Sequence, residues 1–191
     1  RIALGRGTSA PPEDQTADAT AVMGCTLPEL FDAARVGEPI WFDDGKIGGY
    51  IDHGEHDHLV VVVDDVRPGG ANLRSGKGIN VPDTDLAIDA LTEKDLADLP
   101  FVAAHADIVN LSFVREVADV CGLQNELRGL DAAHLGIVLK IETVRAFENL
   151  PALLLAAMAS ERVGVMIARG DLAVEVGFER LAEVQEEIMW A

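Results

Sequence analysis

The sequence predicts an α/β protein in which a β-rich segment precedes a series of β-α units. Apolar runs typical of buried strands begin near residues 107, 135 and 163, about 28 residues apart, and helical patterns follow them. This spacing is typical of repeated β-α units and predicts a parallel sheet or barrel. A complete eight-stranded barrel needs about 250 residues. The sequence therefore predicts only a partial (β/α)8 TIM barrel.

The N-terminal part of the sequence is rich in strand signals, except for its first segment. Residues 1–25 include small polar residues with paired prolines and predict a loop or a poorly ordered segment. Thr26-Leu-Pro-Glu29 predicts the start of a short helix, and Asp44-Gly45 predicts a hairpin turn. Strands are predicted over residues 39–43, 46–51, 59–63 and 78–81. Residues 26–81 are therefore predicted to form a small β-rich domain.

After Pro82 the pattern changes to alternating helices and strands. Thr92 followed by Asp95 predicts the start of the first helix. The strands are predicted over residues 107–112, 135–142 and 163–168, and the helices over residues 114–127, over 143–158 and from 178 onward. Pro151 predicts an irregularity within its helix. Residues 82–191 are therefore predicted to form the partial barrel domain.

Composition excludes several classes of function. The chain of 191 residues carries 33 acidic residues against 15 Lys and Arg, for a net charge of −18. This charge argues against general nucleic-acid binding and against an anionic membrane surface as partner. A mean hydropathy of +0.18 predicts a sizeable core. Cys25 and Cys121 lie far apart without metal-ligand spacing, which favours a reducing, cytoplasmic compartment.

Both ends of the sequence resemble internal positions of a longer chain. The sequence begins without an initiator methionine, and residues 186–191 end within a helical pattern that has no capping signal. We therefore expect the chain to be a segment of a longer protein.

Charged residues stand at the ends of two neighbouring predicted strands. Lys140 and Glu142 are two residues apart, so both side chains should lie on the same face, and Asp171 follows the next strand. Two carboxylates suit Mg²⁺ or Mn²⁺, and a nearby ammonium can stabilise charge on an enolate or a phosphoryl group. Gly170 permits a tight strand-to-helix turn with N–H groups for an anion. The alternative for Lys140 and Glu142 is a buried ion pair.

A second group of residues has metal-binding potential. His53, His56 and His58 alternate with acidic residues, and their spacing could bind a transition metal. We interpret the group instead as a solvated hairpin loop.

Several strings together resemble the pyruvate kinase family. Lys140-Ile-Glu142 is followed one β-α unit later by Met-Ile-Ala-Arg-Gly-Asp-Leu-Ala-Val-Glu, which ends at Glu175. Further strings that are similar to family motifs stand upstream in the same order: Trp41-Phe-Asp-Asp-Gly45, Gly78-Ile-Asn-Val-Pro82, Leu91-Thr-Glu-Lys-Asp95 and Ser112-Phe-Val-Arg115. The match runs from about Thr26 to the end and is specific in combination.

The resemblance implies phosphoryl transfer from phosphoenolpyruvate to ADP, with formation of pyruvate and ATP in glycolysis. It implies that Glu142 and Asp171 bind Mg²⁺ or Mn²⁺ and that Lys140 neutralises charge on the phosphoryl group and the enolate. It also implies K⁺ and a homo-oligomer in the longer protein.

The resemblance further implies how the substrates are held. Main-chain N–H groups of Ala168, Arg169, Gly170 and Asp171 would bind the substrate carboxylate, and Ser112 would lie near the phosphate. From the β-rich segment, which would be an inserted lid domain, Lys77 and Asp44 would contact the nucleotide. These last two roles are implied by the resemblance alone.

The sequence also departs from the family pattern. Ala173 replaces a usual glycine beside the carboxylate-binding turn, Gly76 replaces a basic residue and Asp83 replaces a frequent glycine. The family's substrate arginine, potassium ligands, proton-transfer threonine and effector domain lie outside the chain, so we expect the chain alone to be inactive. Two alternatives stay open: another metal-dependent pyruvate or phosphoenolpyruvate barrel enzyme, such as an aldolase or lyase, and a kinase-like protein that only binds ligands.

Overall fold

The computed structural model describes residues 1–8, 11 and 19–191, which divide into an N-terminal unit, Arg1–Ile88, and a C-terminal unit, Asp89–Ala191. The sequence placed the boundary after Val81. No helix in the described part of the chain is both long and apolar enough to cross a membrane.

The N-terminal unit is built on a six-stranded sheet with the order β2-β1-β5-β4-β3-β6. The strands β1 and β2 are parallel to each other, and the other neighbours are antiparallel. A short helix, α1, covers Glu29–Ala33. The strands have these bounds: β1 Ile2–Arg6, β2 Ala21–Cys25, β3 Pro39–Phe42, β4 Ile47–Glu55, β5 His58–Val66 and β6 Ile79–Asn80.

The loop predicted for residues 1–25 is wrong at both ends of that segment. Ile2–Arg6 and Ala21–Cys25 are strands, and Ala3 and Leu4 are completely buried. The strand β1 pairs with β5, more than 50 residues further along the chain. Because long-range pairing and burial form this strand, the local composition could not reveal it. The middle of the predicted loop, residues 12–18, lies outside the described residues.

Two adjacent glycines allow β4 to pack closely against its neighbours. A Cβ atom on Gly48 would lie 2.3 Å from the ring of Trp41, and one on Gly49 would lie 2.1 Å from the carbonyl oxygen of Val62. The pairing of β4 with β5 shifts register at these glycines, as expected for a β-bulge. The absence of side chains here therefore lets the sheet bend around its core, which includes Ile40, Phe42 and Val61.

The histidine-rich loop is only partly solvated. It forms the end of the β4–β5 hairpin, where the side chains of His53 and His56 are 55% and 96% exposed. His58, by contrast, is only 6% exposed. The prediction of a solvated loop is therefore wrong for His58, because this residue begins β5 beside the buried strand β1.

The C-terminal unit contains a three-stranded parallel sheet with the order β7-β8-β9. The predicted strands are all present, and the helices pack on the sheet through a core that includes Leu123, Leu139 and Leu153. The elements have these bounds: α2 Glu93–His105, β7 Ile108–Leu111, α3 Val117–Gly129, β8 Gly136–Ile141, α4 Val144–Glu148, α5 Leu150–Ala157, β9 Val163–Ile167, α6 Arg169–Val176 and α7 Leu181–Trp190.

Pro151 divides the predicted helix over residues 143–158 into two. The helix α4 ends at Glu148, and α5 begins at Leu150 with Pro151 in its first turn. Proline has no N–H to donate to the preceding turn, and its ring collides with the carbonyl four residues earlier. The predicted irregularity is therefore confirmed.

The first helix of the C-terminal unit starts with a capping box, as the sequence predicts. The Thr92 hydroxyl accepts a hydrogen bond from the Asp95 N–H at 3.1 Å, and the Asp95 carboxylate accepts one from the Thr92 N–H at 2.9 Å. These bonds satisfy backbone donors that the helix itself leaves without acceptors.

Replacing Thr92 with alanine should lower the free energy of unfolding of the C-terminal unit by about 1 kcal/mol, as for other N-caps. Thr92→Ser keeps the hydroxyl and should change stability by much less. Urea denaturation followed by circular dichroism measures both variants. Equal stability of the alanine and serine variants would contradict a capping role for the hydroxyl.

Candidate functional site

A lysine and a glutamate meet at the carboxyl end of β8. Lys140 lies in the strand, Glu142 follows it, and Lys140 Nζ lies 2.7 Å from Glu142 Oε1. This contact confirms that the two side chains share a face. The Glu142 side chain is 2% exposed and that of Lys140 is 22% exposed. The carboxylate is therefore shielded, while part of the Lys140 side chain is exposed.

The end of the neighbouring strand β7 completes this cluster. The Lys140 ammonium donates a hydrogen bond to Ser112 Oγ at 2.9 Å, and the backbone N–H of Phe113 donates to Glu142 Oε2. Phe113 has a φ of 50°, which bulky residues rarely adopt. Such strain costs about 1 kcal/mol or more and recurs at functional sites. Sequence reasoning missed Phe113, because a backbone donor leaves no signal in the side-chain pattern.

Asp171 lies on the helix that begins beside the end of β8. The strand register pairs Ile141 with Ile167, and the Ala168 N–H donates to the Ile141 carbonyl at 3.2 Å. The helix α6 starts at Arg169, so Asp171 is in its first turn. The predicted turn at Gly170 is therefore the helix start itself. First-turn N–H groups have no acceptor within a helix and favour anions.

Glu175 connects α6 to the segment that follows Glu142. Its Oε2 accepts a hydrogen bond from the Val144 N–H at 3.4 Å, where α4 begins after its capping residue Thr143. The helix with Asp171 is thereby tied to the chain just beyond the Lys140–Glu142 pair. Ala173, the residue at the position of a family glycine, is 2% exposed within α6.

A second candidate site lies in the N-terminal unit, in a cleft of about 640 Å³. Four of its side chains are cationic in a chain whose net charge is −18. We call it the Lys77 cleft, and these residues line it: Asp43, Gly45, Lys46, Asp65, Arg67, Ala71, Asn72, Arg74 and Lys77. Clustered cations in a concave surface attract anionic ligands.

Asp43 organises the lysines of this cleft. Its Oδ1 lies 2.9 Å from Lys77 Nζ and its Oδ2 lies 3.0 Å from Lys46 Nζ. The ammonium groups of Lys77 and, second, Lys46 hold the pKa of the Asp43 carboxyl below its ordinary value. The same contact with Asp43 raises the pKa of Lys77. The sequence pointed to Asp44, but Asp44 is exposed and does not line the cleft, whereas its neighbour Asp43 does.

Acid should weaken the N-terminal unit through Asp43. A carboxyl whose pKa is lowered by folding stabilises the folded state fully above its unfolded pKa of about 3.9. This stabilisation is lost as the pH falls from that value through the lower pKa of the folded state. We therefore expect the free energy of unfolding to decrease below about pH 4, and Lys77→Met to reduce this decrease because less of the pKa shift remains. Denaturation followed by tryptophan fluorescence, in a Trp190→Phe background where Trp41 is the one remaining tryptophan, measures this acid dependence. The same acid dependence in both proteins would contradict the assigned role of the Lys77 contact.

Comparison with known proteins agrees with the motifs. The family model described as "Pyruvate kinase, barrel domain" matches residues 8–190. A pyruvate kinase of Geobacillus stearothermophilus is 36% identical over 165 residues, which cover 86% of this chain and 27% of that protein. One of Mycobacterium tuberculosis strain H37Rv is 36% identical over 86% of this chain and 33% of its own length. The chain thus spans between about a quarter and a third of the length of these curated relatives.

Proposed function

Because the chain belongs to the pyruvate kinase family, we propose that it carries part of a site for phosphoryl transfer from phosphoenolpyruvate to ADP. The observation that supports this most is the Lys140–Glu142 pair with its contacts to Ser112 and Phe113. In this proposal the C-terminal unit is part of a (β/α)8 barrel and the N-terminal unit is its lid domain. The remaining parts of such a site correspond to regions of the relatives that this chain does not cover.

Lys140 is proposed to stabilise the negative charge of the reacting groups. Its ammonium is already fixed by Glu142 and Ser112, so little reorientation is needed when a phosphoryl group approaches. Charges that are positioned before the reaction contribute more than mobile ones. Part of the Lys140 side chain is exposed, as this contact requires.

Glu142 and Asp171 are proposed to hold Mg²⁺ or Mn²⁺. The fit is supported by the oxygen donors, which hard divalent ions prefer, and by the burial of a charged Glu142 carboxylate. Each carboxylate oxygen has two lone pairs, so the contacts to Lys140 and Phe113 leave room for an ion. When bound, the ion supplies Lewis acidity toward substrate oxygens. The family also implies K⁺ in the longer protein.

The first turn of α6 is proposed to bind the substrate carboxylate. The N–H groups of Arg169, Gly170 and Asp171 have no acceptor from within the helix. The prediction was wrong to include the N–H of Ala168, because that group already donates to the Ile141 carbonyl. The position of the other three groups beside the end of β8 follows from the contact between Ala168 and Ile141. A carboxylate held there would place phosphoenolpyruvate close to the strand end that carries Lys140.

The Lys77 cleft is proposed to bind the nucleotide phosphates. Lys77, Lys46 and Arg74 line it, and ammonium and guanidinium groups form charge-assisted hydrogen bonds with phosphate. Asp44, which is exposed, stays a proposed nucleotide contact. Lys77→Met should then weaken ADP binding.

Mn²⁺ binding to the 191-residue chain tests the proposed site without requiring turnover. Titration followed by electron paramagnetic resonance should show a site whose dissociation constant rises at least about tenfold in Glu142→Gln and in Asp171→Asn. Asp98→Asn, which removes an exposed carboxylate of α2, serves as the matched control. The proposed metal ligands are wrong if both site variants bind Mn²⁺ like the control.

A further inference from the structure

The end of the β4–β5 hairpin brings together three potential metal ligands that the proposed phosphoryl-transfer site does not use. Glu55 is the last residue of β4, His58 is the first of β5, and the strand register places them directly opposite each other. Directly opposed residues of an antiparallel pair project from the same face. The backbone itself therefore places the Glu55 carboxylate beside the His58 imidazole, and Asp57 adds a second carboxylate from the turn.

The donor atoms of these residues are close enough for one ion. One ligand atom each from Glu55, Asp57 and His58 lies within 4.8 Å of the other two. Metal–ligand bonds of about 2.0–2.2 Å put tetrahedral ligands roughly 3.4 Å apart. Donor atoms up to 4.8 Å apart would approach by at most about 1.4 Å, and His58 Nδ1 and Asp57 Oδ1, which are 2.9 Å apart, would separate by about 0.5 Å if both bound the ion. The exposed side chains of Glu55 and Asp57 can make such adjustments without backbone movement.

His58 differs from the other histidines of the hairpin because its ring is already held in place. It is 6% exposed, and its Nδ1 lies 2.9 Å from Asp57 Oδ1. The next residue, Leu59, is part of the core of the N-terminal unit. An imidazole that is fixed in the folded protein loses little conformational entropy when it binds a metal. The two exposed carboxylates beside it leave the remaining coordination positions open to water.

The local charges favour a cation. The nearby arginines already have acidic partners, since Arg1 pairs with Asp52 and Arg6 pairs with Asp32. The backbone N–H of Arg6 donates to the Asp57 carbonyl at 2.9 Å. The whole chain carries a net charge of −18, which raises the local concentration of divalent cations.

We propose that Glu55, Asp57 and His58 form a binding site for a divalent transition metal ion, with Zn²⁺ as the best match. One imidazole and two carboxylates suit zinc and its neighbours in the first transition row, whereas Mg²⁺ favours oxygen ligands alone. The bound ion joins the last residue of β4 to the first residue of β5. It therefore stabilises the hairpin in the folded state and raises the melting temperature of the N-terminal unit.

Zn²⁺ titration of the whole chain by calorimetry, in excess Mg²⁺ to occupy oxygen-only sites, tests this proposal. We expect one zinc ion per chain and at least about tenfold weaker binding in both Glu55→Gln and Asp57→Asn. His53→Gln changes a histidine of the same hairpin outside the cluster and should bind like the unchanged protein. Both carboxylates are exposed, so these two variants should fold. His58→Gln should also weaken zinc binding, and circular dichroism checks that this variant of a buried residue is folded.

Co²⁺ in place of Zn²⁺ gives an independent readout. Its visible absorption should appear in the unchanged chain and be lost in Glu55→Gln. The proposal is overturned if no zinc binds, if both carboxylate variants retain full affinity, or if His53→Gln weakens binding as much as they do. A thiolate-to-cobalt charge-transfer band would overturn it as well, because it would place the ion at a cysteine.

Discussion

Replacing Lys140 with methionine should lower the free energy of unfolding of the C-terminal unit by about 3 kcal/mol. The substitution leaves the Glu142 carboxylate, which is 2% exposed, without its 2.7 Å ammonium partner. Removal of one partner from a buried pair costs about 3–5 kcal/mol. We expect the lower end of this range, because the Lys140 side chain is 22% exposed. Urea denaturation followed by helical circular dichroism reports on this unit, which contains the helices α2–α7.

Two further variants separate the loss of the pair from other effects of the substitution. Lys94→Met removes a lysine that also pairs with an aspartate, but both side chains are more than half exposed. Such surface pairs contribute about 0.2–1 kcal/mol. Lys140→Met combined with Glu142→Leu removes both buried charges and should recover most of the lost stability. If Lys140→Met were as stable as Lys94→Met, Glu142 would not depend on its ammonium partner.

Replacing Gly49 with alanine should destabilise the N-terminal unit by about 3 kcal/mol, the upper part of the range for overpacking. The new methyl group would lie 2.1 Å from the carbonyl oxygen of Val62 and 2.9 Å from its carbon. These are backbone atoms of the paired strand, so the two strands must separate rather than a side chain turn away. Tryptophan fluorescence during urea denaturation measures the effect in a Trp190→Phe background, because Trp41 then is the one remaining tryptophan and lies in the adjacent strand β3.

Gly78 provides the matched control for this substitution. It lies in the same unit, and a Cβ atom there would have no other atom within 4 Å. Gly78→Ala should therefore change the free energy of unfolding by no more than about 0.5 kcal/mol. If Gly49→Ala lowered the free energy of unfolding as little as Gly78→Ala does, the close contact between β4 and β5 would not require glycine at position 49.

The sequence predicted those parts of the fold that depend on local patterns. The strands β7, β8 and β9 are continuous apolar runs with helices between them, and all three are present. The strand β1 was missed because it is stabilised by pairing with β5, which is distant in sequence. The helix α6 was missed because Arg169-Gly170-Asp171 resembles a turn, although glycine is tolerated in the first turn of a helix.

The site shows the same division between local pattern and tertiary structure. The common face of Lys140 and Glu142 follows from the two-residue period of a strand, and their contact confirms it. The Phe113 N–H could not be predicted, because its role depends on a left-handed backbone conformation at the end of another strand. Likewise, the choice of Asp43 rather than Asp44 in the Lys77 cleft depends on the geometry of the turn, where both residues have positive φ.

Pyruvate formation is the most direct test of the proposed phosphoryl transfer, measured on a polypeptide that carries this chain and has the full length of its pyruvate kinase relatives. With phosphoenolpyruvate, ADP, Mg²⁺ and K⁺, we expect turnover that falls at least about 100-fold in Asp171→Asn, as when charge stabilisation of a transition state is lost. Asp98→Asn should retain full turnover, because its exposed carboxylate lies in α2. No pyruvate from that folded polypeptide, or full turnover in Asp171→Asn, would contradict the proposed phosphoryl transfer.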